Sequence, residues 1–206
     1  MTKRESLERS MEGRRSGERR HGNRRSAAAP SPAPEVPVVQ VTGDDGRPWT
    51  LLAHPAFLDQ LAKVRAKAAI EPTGPDLAPG PATKLLGHLL DLMFVAVPRD
   101  PGHKDFRHGG ALGGGHRDWF RAKTGNGRFR LFYRYSSKAR VIVFGWLNDE
   151  TSLRTYGAKT DAHAVFTDLL ADGNPPDDWD ALVAQASASK AVQRLQFAKQ
   201  ARDQRG

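Results

Sequence analysis

The run of residues around Gly125-Asn126-Gly127 constrains the fold of this chain more than any other segment. Glycine and asparagine tolerate the backbone angles of tight hairpin turns, and runs that alternate between polar and apolar residues favour strands. Residues 119–124 and 128–135 are therefore predicted to form an antiparallel β-hairpin. Val141–Phe144 is rich in β-branched and aromatic residues and is predicted to add a further, buried strand.

The pairing register of this hairpin decides which side chains share a face. With Gly125 and Asn126 as a two-residue loop, Lys123 lies opposite Arg128. In the same register, Arg121 lies opposite Arg130. One face then carries Trp119, Arg121, Lys123, Arg128, Arg130, Phe132 and Arg134. The other face carries Phe120, Ala122, Phe129, Leu131, Tyr133 and Tyr135, and we expect it to pack on helices.

The cationic face is unusual, because like charges opposite one another on a sheet cost up to about 1 kcal/mol per pair. An anion bound between them removes that cost, so the face is predicted to bind phosphate groups. Trp119 and Phe132 at its edge would stack on bases, while arginines grip phosphates with their planar forks. Two alternatives remain: a solvated face whose cations pair with Asp149 and Glu150, and a three-residue loop that shifts the pairing.

Crowding gives Lys123 a possible chemical role. Arg121 and Arg128 disfavour a second positive charge between them, so we expect a lowered pKa for Lys123. Such a lysine can take a proton from a ribose 2′-OH while the arginines stabilise charge on the attacked phosphate. This chemistry requires neither a metal nor another cofactor.

The remaining folded part is predicted from periodicity and turn residues. Residues 36–41 and 49–52 flank a Gly43–Gly46 turn and are read as a hairpin or a single strand. Helical spacing of apolar residues marks 55–70, 82–97 and 161–170, and residues 179–183 begin a final helix. Pro98 is expected to stop the second of these helices.

Charge and composition divide the 206-residue chain into three regions. Residues 1–35 hold nine Lys and Arg against five Glu and end in Pro and Ala, which predicts a disordered basic arm and linker. Residues 36–186 are the predicted domain, and 187–206 form a charged tail that we expect to fray. The net charge of +9 favours a nucleic-acid partner, followed by an anionic membrane surface or an acidic protein, and charge alone does not choose among the three. The chain has no cysteine, which fits the cytoplasm, and no apolar run of the roughly 20 residues that cross a bilayer.

Two other motifs compete for a functional role. Gly109–Gly115 lacks the Lys-Ser/Thr ending and strand–loop–helix context of a phosphate loop, so a flexible loop is predicted. His103, Asp105, His108 and His116 are metal-ligand types, but they lack the spacing of a known site. His163 is close to Tyr156 in sequence, and a general-acid role for it stays open.

Several motifs together resemble the YhaV toxin family, over approximately residues 49–183. They are Ala82-Thr83-Lys84-Leu85-Leu86, Phe106-Arg107-His108-Gly109, Asp118-Trp119, 128–135, 145–150, 153–157, Lys159-Thr160-Asp161-Ala162, Val165-Phe166 and 175–179. That family is similar to the RelE group of bacterial toxins. The resemblance implies an α+β fold in which a small antiparallel sheet carries N-terminal helices on one face, together with C-terminal helices, as in the RelE/ParE group.

The resemblance also implies a function and partners. We expect a type II toxin–antitoxin endoribonuclease that cleaves mRNA in association with the ribosome and thereby inhibits translation and growth. A PrlF-like antitoxin would neutralise it in a hetero-oligomer, and operator DNA would be contacted only through that antitoxin. The open alternatives are a nucleic-acid-binding or ribosome-binding module without catalysis, and a ParE-like gyrase poison.

The RelE pattern assigns roles to individual residues. Arg121, Lys123 and Arg130 fall on its basic positions, and Tyr156 falls near a late tyrosine that stacks on the substrate base. The pattern's further arginine is replaced here by Trp146-Leu147-Asn148-Asp149, and Arg154 is the expected substitute. The predicted catalytic residues are Lys123, Arg121, Arg130, Arg154 and Tyr156. The predicted RNA-binding residues are Arg128, Arg134, Trp119 and Phe132.

Overall fold

The computed structural model describes residues 37–153, 158 and 160–205, and within them five strands form one mixed sheet. The strands are β1 (Val39–Thr42), β2 (Pro48–Ala53), β3 (Phe120–Thr124), β4 (Phe129–Ser136) and β5 (Val141–Leu147). Their order is β1-β2-β5-β4-β3. The α+β class is confirmed, and of the two alternatives before residue 53, a hairpin or a single strand, the structure has the hairpin.

The sheet departs from the expected antiparallel arrangement at one place. β2 and β5 run parallel, whereas the other three neighbouring pairs are antiparallel. A parallel neighbour requires a long crossover rather than a tight turn. The chain supplies that crossover because β2 leads directly into a helix, and the sheet resumes only with the β3–β4 hairpin.

Helices cover the sheet and mostly follow the predicted segments. They are α1 (Pro55–Ala69), α2 (Pro81–Asp91), α3 (Val97–Arg99), α4 (Ala162–Ala171), α5 (Trp179–Ala186) and α6 (Ser189–Asp203). The expected stop at Pro98 is wrong, since a π-helical turn over Leu92–Ala96 joins α2 to α3 and the helix continues through the proline. The wider turn accommodates a residue that lacks an N–H and whose ring crowds the preceding turn.

Both faces of the sheet are packed against helices. Phe120, Ala122, Leu131 and Tyr133 are buried in a cluster with residues of α1, α2 and α6, which confirms the predicted core side of the hairpin. The opposite face holds a second cluster, in which Phe132 packs with residues of α4 and α5. The face predicted to be cationic is therefore partly covered by C-terminal helices.

The C-terminal residues form a packed helix, so the expectation of a frayed tail over 187–206 is wrong. Ala191, Leu195 and Ala198 of α6 are buried in the first cluster, at helical spacings of four and three. Arg194 of α6 also pairs with Asp59 of α1, at 2.8 Å between Nη2 and Oδ1. A few apolar residues along one side of a helix are enough to pack it against the core, even when its other sides are charged.

His54 links two helices and makes the fold sensitive to acid. Its Nδ1 accepts the Ala56 N–H at the start of α1 (3.2 Å), and its Nε2 donates to the Gln185 side chain of α5 (2.7 Å). Burial lowers the pKa of His54, against smaller opposing effects from Gln185 and Asp59. The folded state therefore holds the neutral ring and loses stability as the pH falls below the unfolded value of about 6.5.

We expect His54→Asn to flatten this acid response, because asparagine can cap α1 without titrating. The free energy of unfolding of the unmodified chain is expected to fall between pH 7.5 and pH 5, and one such histidine contributes a slope of at most about 1.4 kcal/mol per pH unit. Urea unfolding across that range measures the slope. Substitution of the exposed His88 is the control, and an equal slope in both variants would contradict the assignment.

Candidate functional site

The β3–β4 hairpin keeps its predicted faces but not its predicted pairing. Lys123 lies opposite Arg130, and Arg121 lies opposite Phe132. The two-residue loop was wrong: residues 125–128 form the connection, and Gly125, Asn126 and Gly127 all have positive φ, at 55°, 54° and 76°. Three consecutive left-handed residues exceed the two of a type I′ turn, and the register moves by two. The side chains within the two strands keep their faces, whereas Arg128 falls in the connection instead of on the cationic strand face.

Three of the predicted catalytic cations line one cleft. Arg121, Lys123 and Arg130 meet there with His163 and with the segment from His108 to Ala111, around a volume of about 490 Å³. Lys123 is exposed, Arg121 is partly buried and Arg130 is only 6% exposed. The cleft therefore places positive charge at several depths.

Arg130 is held in place by the loop that precedes it. Its Nη1 donates to the backbone carbonyls of Gly127 and Phe129, the latter at 3.3 Å. The buried Asn148 accepts the Arg130 backbone N–H and donates to the carbonyls of Arg128 (3.2 Å) and Ser152 (2.9 Å). Asn148 thus fastens the start of β4 to the segment after β5, and pre-organised groups of this kind stabilise developing charge most effectively.

The acids after β5 make their contacts away from the cationic face. Glu150 forms an ion pair with Lys67 of α1. Burial acts to raise the pKa of Asp149, but hydrogen bonds from Thr151 and Ser152 outweigh it and lower that pKa. These contacts do not support the alternative in which Asp149 and Glu150 neutralise the hairpin cations.

His163 enters the cleft from the first turn of α4. The Asp161 carboxylate caps that helix and lies 3.2 Å from the His163 Nδ1, and both residues are buried. The imidazole also meets the Phe132 ring edge-on, with ring centroids 5.7 Å apart. The sequence placed His163 near Tyr156 only by proximity, although an Asp-x-His pair at a helix start is a signal that would have located it.

His108 also lines the cleft, although its sequence context indicated only a metal-ligand type within a family motif. Its Nε2 lies 3.1 Å from the backbone carbonyl oxygen of His116. Because a carbonyl oxygen only accepts hydrogen bonds, the Nε2 must carry the proton and donate it. Burial lowers the pKa of His108, and the nearby Arg121 lowers it further. His103 meets Asp105 while His116 binds Asp177, so these histidines do not converge, and the described part of the chain holds no group of three metal-ligating side chains.

Trp119 and Phe132 do not lie at an exposed edge, which corrects their predicted position. Their side chains are 1% and 0% exposed, because α4 and α5 cover this part of the face. Trp119 Nε1 donates to the Asp177 carboxylate at 2.7 Å, and Phe132 stacks on Phe166 of α4. Neither ring is available to stack on a base in this structure.

Arg134 is also occupied by contacts within the protein. Its guanidinium donates to the Asp177 carbonyl and to the Asp118 carboxylate, and its side chain is 12% exposed. It lies over the rings of Trp119 and Trp179, so it fastens β4 to the start of α5 rather than reaching outward. Arg128, by contrast, is exposed in the hairpin loop.

Two predicted catalytic residues, Arg154 and Tyr156, lie outside the described residues. Their proposed roles stay predictions.

The fold and the cleft together define the class of this protein: a small α+β domain with a cationic groove suited to a polyanion. Residues 51–187 match the YhaV toxin family, described as a toxin with endonuclease activity, of toxin–antitoxin system. The chain belongs to this family. Family membership implies an antitoxin partner. Among the described residues, no helix is long and apolar enough to cross a membrane.

Named relatives share a large part of the domain. The chain is 43% identical over 146 residues to "Toxin YhaV" of Escherichia coli O6:H1, which covers 68% of this chain and 94% of that protein. It is 43% identical over 142 residues to "Ribonuclease toxin YhaV" of Escherichia coli K12, covering 66% of this chain and 91% of that protein. No solved structure matches significantly.

Proposed function

We propose that this toxin is a metal-independent endoribonuclease that cleaves mRNA on the ribosome, in the cytoplasm, and thereby stops translation and growth. The observation that supports it is the single cleft holding Arg121, Lys123 and Arg130. Two guanidinium groups beside one lysine suit the negative charge that develops on a phosphodiester near its transition state. A 43% identical relative bearing the name ribonuclease toxin supports RNA as the substrate.

The proposed reaction is an attack by a ribose 2′-oxygen on the adjacent phosphorus. Lys123 takes the 2′-OH proton, and the guanidinium groups of Arg121 and Arg130 stabilise the charge that develops on the phosphate oxygens. The bond from phosphorus to the 5′-oxygen breaks, and that oxygen takes up a proton. The products are a 2′,3′-cyclic phosphate and a 5′-OH.

Two residues are proposed as the donor of the proton that the 5′-oxygen takes up, His163 and Tyr156. His163 lines the cleft and is oriented by Asp161, which suits it for proton transfer. Tyr156 is the other candidate, with base stacking as its second role, and Arg154 is proposed as a third phosphate contact. Arg128, exposed in the loop, is proposed to track the RNA backbone.

The antitoxin is proposed to be PrlF-like and to form a hetero-oligomer with this chain. Such a partner would neutralise the toxin, and operator DNA would be contacted only through it. Co-expression with the PrlF-like protein should restore the growth that the toxin alone arrests.

The comparison of cleavage with binding tests the enzymatic proposal. Arg121→Ala is expected to lower the cleavage rate at saturating RNA by about 10²-fold, the effect of removing one charge-stabilising donor. Its RNA affinity should weaken by at most about tenfold, since a single phosphate contact is lost. Both are measured with translating ribosomes and with purified RNA. If the unmodified chain binds RNA in a salt-dependent manner but cleaves it neither on translating ribosomes nor as purified RNA, the protein is a binding module instead.

A further inference from the structure

A second cleft adjoins the first along the loop from Arg107 to Arg117, here called the glycine loop. It has a volume of about 410 Å³. It is lined by Arg107, His108, Gly109, Gly110, Gly113, Gly114, Arg117, Trp119 and Phe120. His108, Gly109 and Gly110 also line the first cleft, so these three residues form a wall common to both.

The second cleft is lined by two arginines that form no ion pair or hydrogen bond with the described part of the chain. Arg107 and Arg117 are exposed, and neither side chain has an ion pair or a hydrogen bond within residues 37–153, 158 and 160–205. The adjacent acid, Asp118, pairs with Arg134 at 3.3 Å. The Arg107 guanidinium lies 5.8 Å from the centre of the Phe120 ring, where it remains open to a ligand. The charge at this cleft is therefore available to an anion from outside.

Gly109 and Gly110 leave their part of the wall between the clefts without side chains, and Gly113 does the same in the second cleft. Gly109, Gly110 and Gly113 have positive φ of 61°, 83° and 80°. A Cβ at any of them would meet no atom within 4 Å, so the space that they leave is open rather than filled by neighbours. Glycine permits both this backbone conformation and the close approach of another backbone.

We propose that the second cleft binds the phosphodiester backbone of single-stranded RNA next to the nucleotide cleaved in the first. This rests on the function proposed above. One strand would cross the wall at Gly109 and Gly110, with its flanking phosphates on Arg107 and Arg117. The substrate is thus an extended strand of several nucleotides, and a fragment confined to the first cleft does not reach these arginines.

The test is the length dependence of RNA binding by Arg107→Ala/Arg117→Ala. Fluorescence anisotropy would use a trinucleotide and a twelve-nucleotide RNA, each with 2′-O-methyl sugars at every position to prevent cleavage. For the longer RNA we expect the variant to bind about tenfold more weakly. The slope of log K against log salt should fall by about 1.4, the value for two single-strand phosphate contacts. The trinucleotide should bind both proteins equally.

The matched control removes two positive charges elsewhere, in Arg47→Ala/Arg205→Ala. Both of these arginines are exposed and lie outside both clefts. This control should bind the longer RNA with nearly the unmodified slope. Arg107→Lys/Arg117→Lys keeps the charges and should retain most of the slope, which separates phosphate binding from damage to the glycine loop.

Each result decides the proposal. Equal losses for the short and long RNA, or an unchanged slope in the alanine variant, would overturn the second subsite. A loss of slope in the lysine variant or in the Arg47→Ala/Arg205→Ala control as large as in the alanine variant would also overturn it. If the unmodified chain cleaves no RNA while the length-dependent loss persists, the nuclease proposal fails and the subsite stands.

Discussion

Replacing Lys123 with alanine is expected to slow RNA cleavage by about 10²-fold or more, the usual contribution of a general base. The side chain is exposed and makes no ion pair or hydrogen bond within the described part of the chain, so the fold should tolerate its loss. RNA affinity should fall by at most about tenfold, since only one cation is removed. Single-turnover cleavage at saturating RNA measures the rate.

Two variants control for charge and for general surface effects. Lys123→Arg preserves the positive charge, but its guanidinium does not release a proton in the working pH range, so activity should stay low. Lys138→Ala removes an exposed lysine from the β4–β5 turn and should cleave normally. Full activity in Lys123→Ala would remove this residue as the base and transfer the proton-transfer assignment to the histidines of the cleft.

Replacing Phe166 with alanine is expected to cost about 3–5 kcal/mol in the free energy of unfolding. The ring is fully buried and stacks on Phe132 and Trp146, with centroid distances of 4.1 and 5.6 Å. It also meets Trp119 edge-on at 4.9 Å. Phe166 thus holds α4 on the face that carries the cations, and denaturant unfolding measures its contribution.

Phe197→Ala is the matched control, because that ring is 55% exposed on α6. It lies under the Arg65 guanidinium at 4.2 Å, and its removal should cost at most about 1 kcal/mol. Similar costs for the two phenylalanines would contradict the packing of α4 against the sheet. A destabilised Phe166→Ala is also expected to lose cleavage activity, because Phe132 lies opposite Arg121 in the hairpin.

The faces of the hairpin were predictable from the sequence, whereas its pairing was not. Alternation alone assigns Arg121, Lys123 and Arg130 to one face, because strand side chains have a strict period of two. The length of the loop depends on how many residues adopt positive φ, and the sequence Gly125-Asn126-Gly127 is compatible with more than one loop length. The change in register replaced Arg128 by Arg130 as the neighbour opposite Lys123.

The burial of part of the cationic face could not be predicted without tertiary contacts. Strand alternation placed Trp119 and Phe132 correctly beside the cations, but only the docking of α4 and α5 determines that both rings are buried. His108 was missed as a site residue because nothing local fixes the path of the glycine loop. The charged composition of α6 likewise did not indicate a packed helix, because its few apolar residues stabilise it only through contact with the core.

The chemical ends of the RNA fragments provide the most direct test of the central claim, that this cationic cleft cleaves RNA through the 2′-hydroxyl without a metal. We expect a 2′,3′-cyclic phosphate on one fragment and a 5′-OH on the other, with no cleavage where the scissile nucleotide carries a 2′-deoxy sugar. Fragments with 5′-phosphates, or efficient cleavage at the deoxy position, would contradict it.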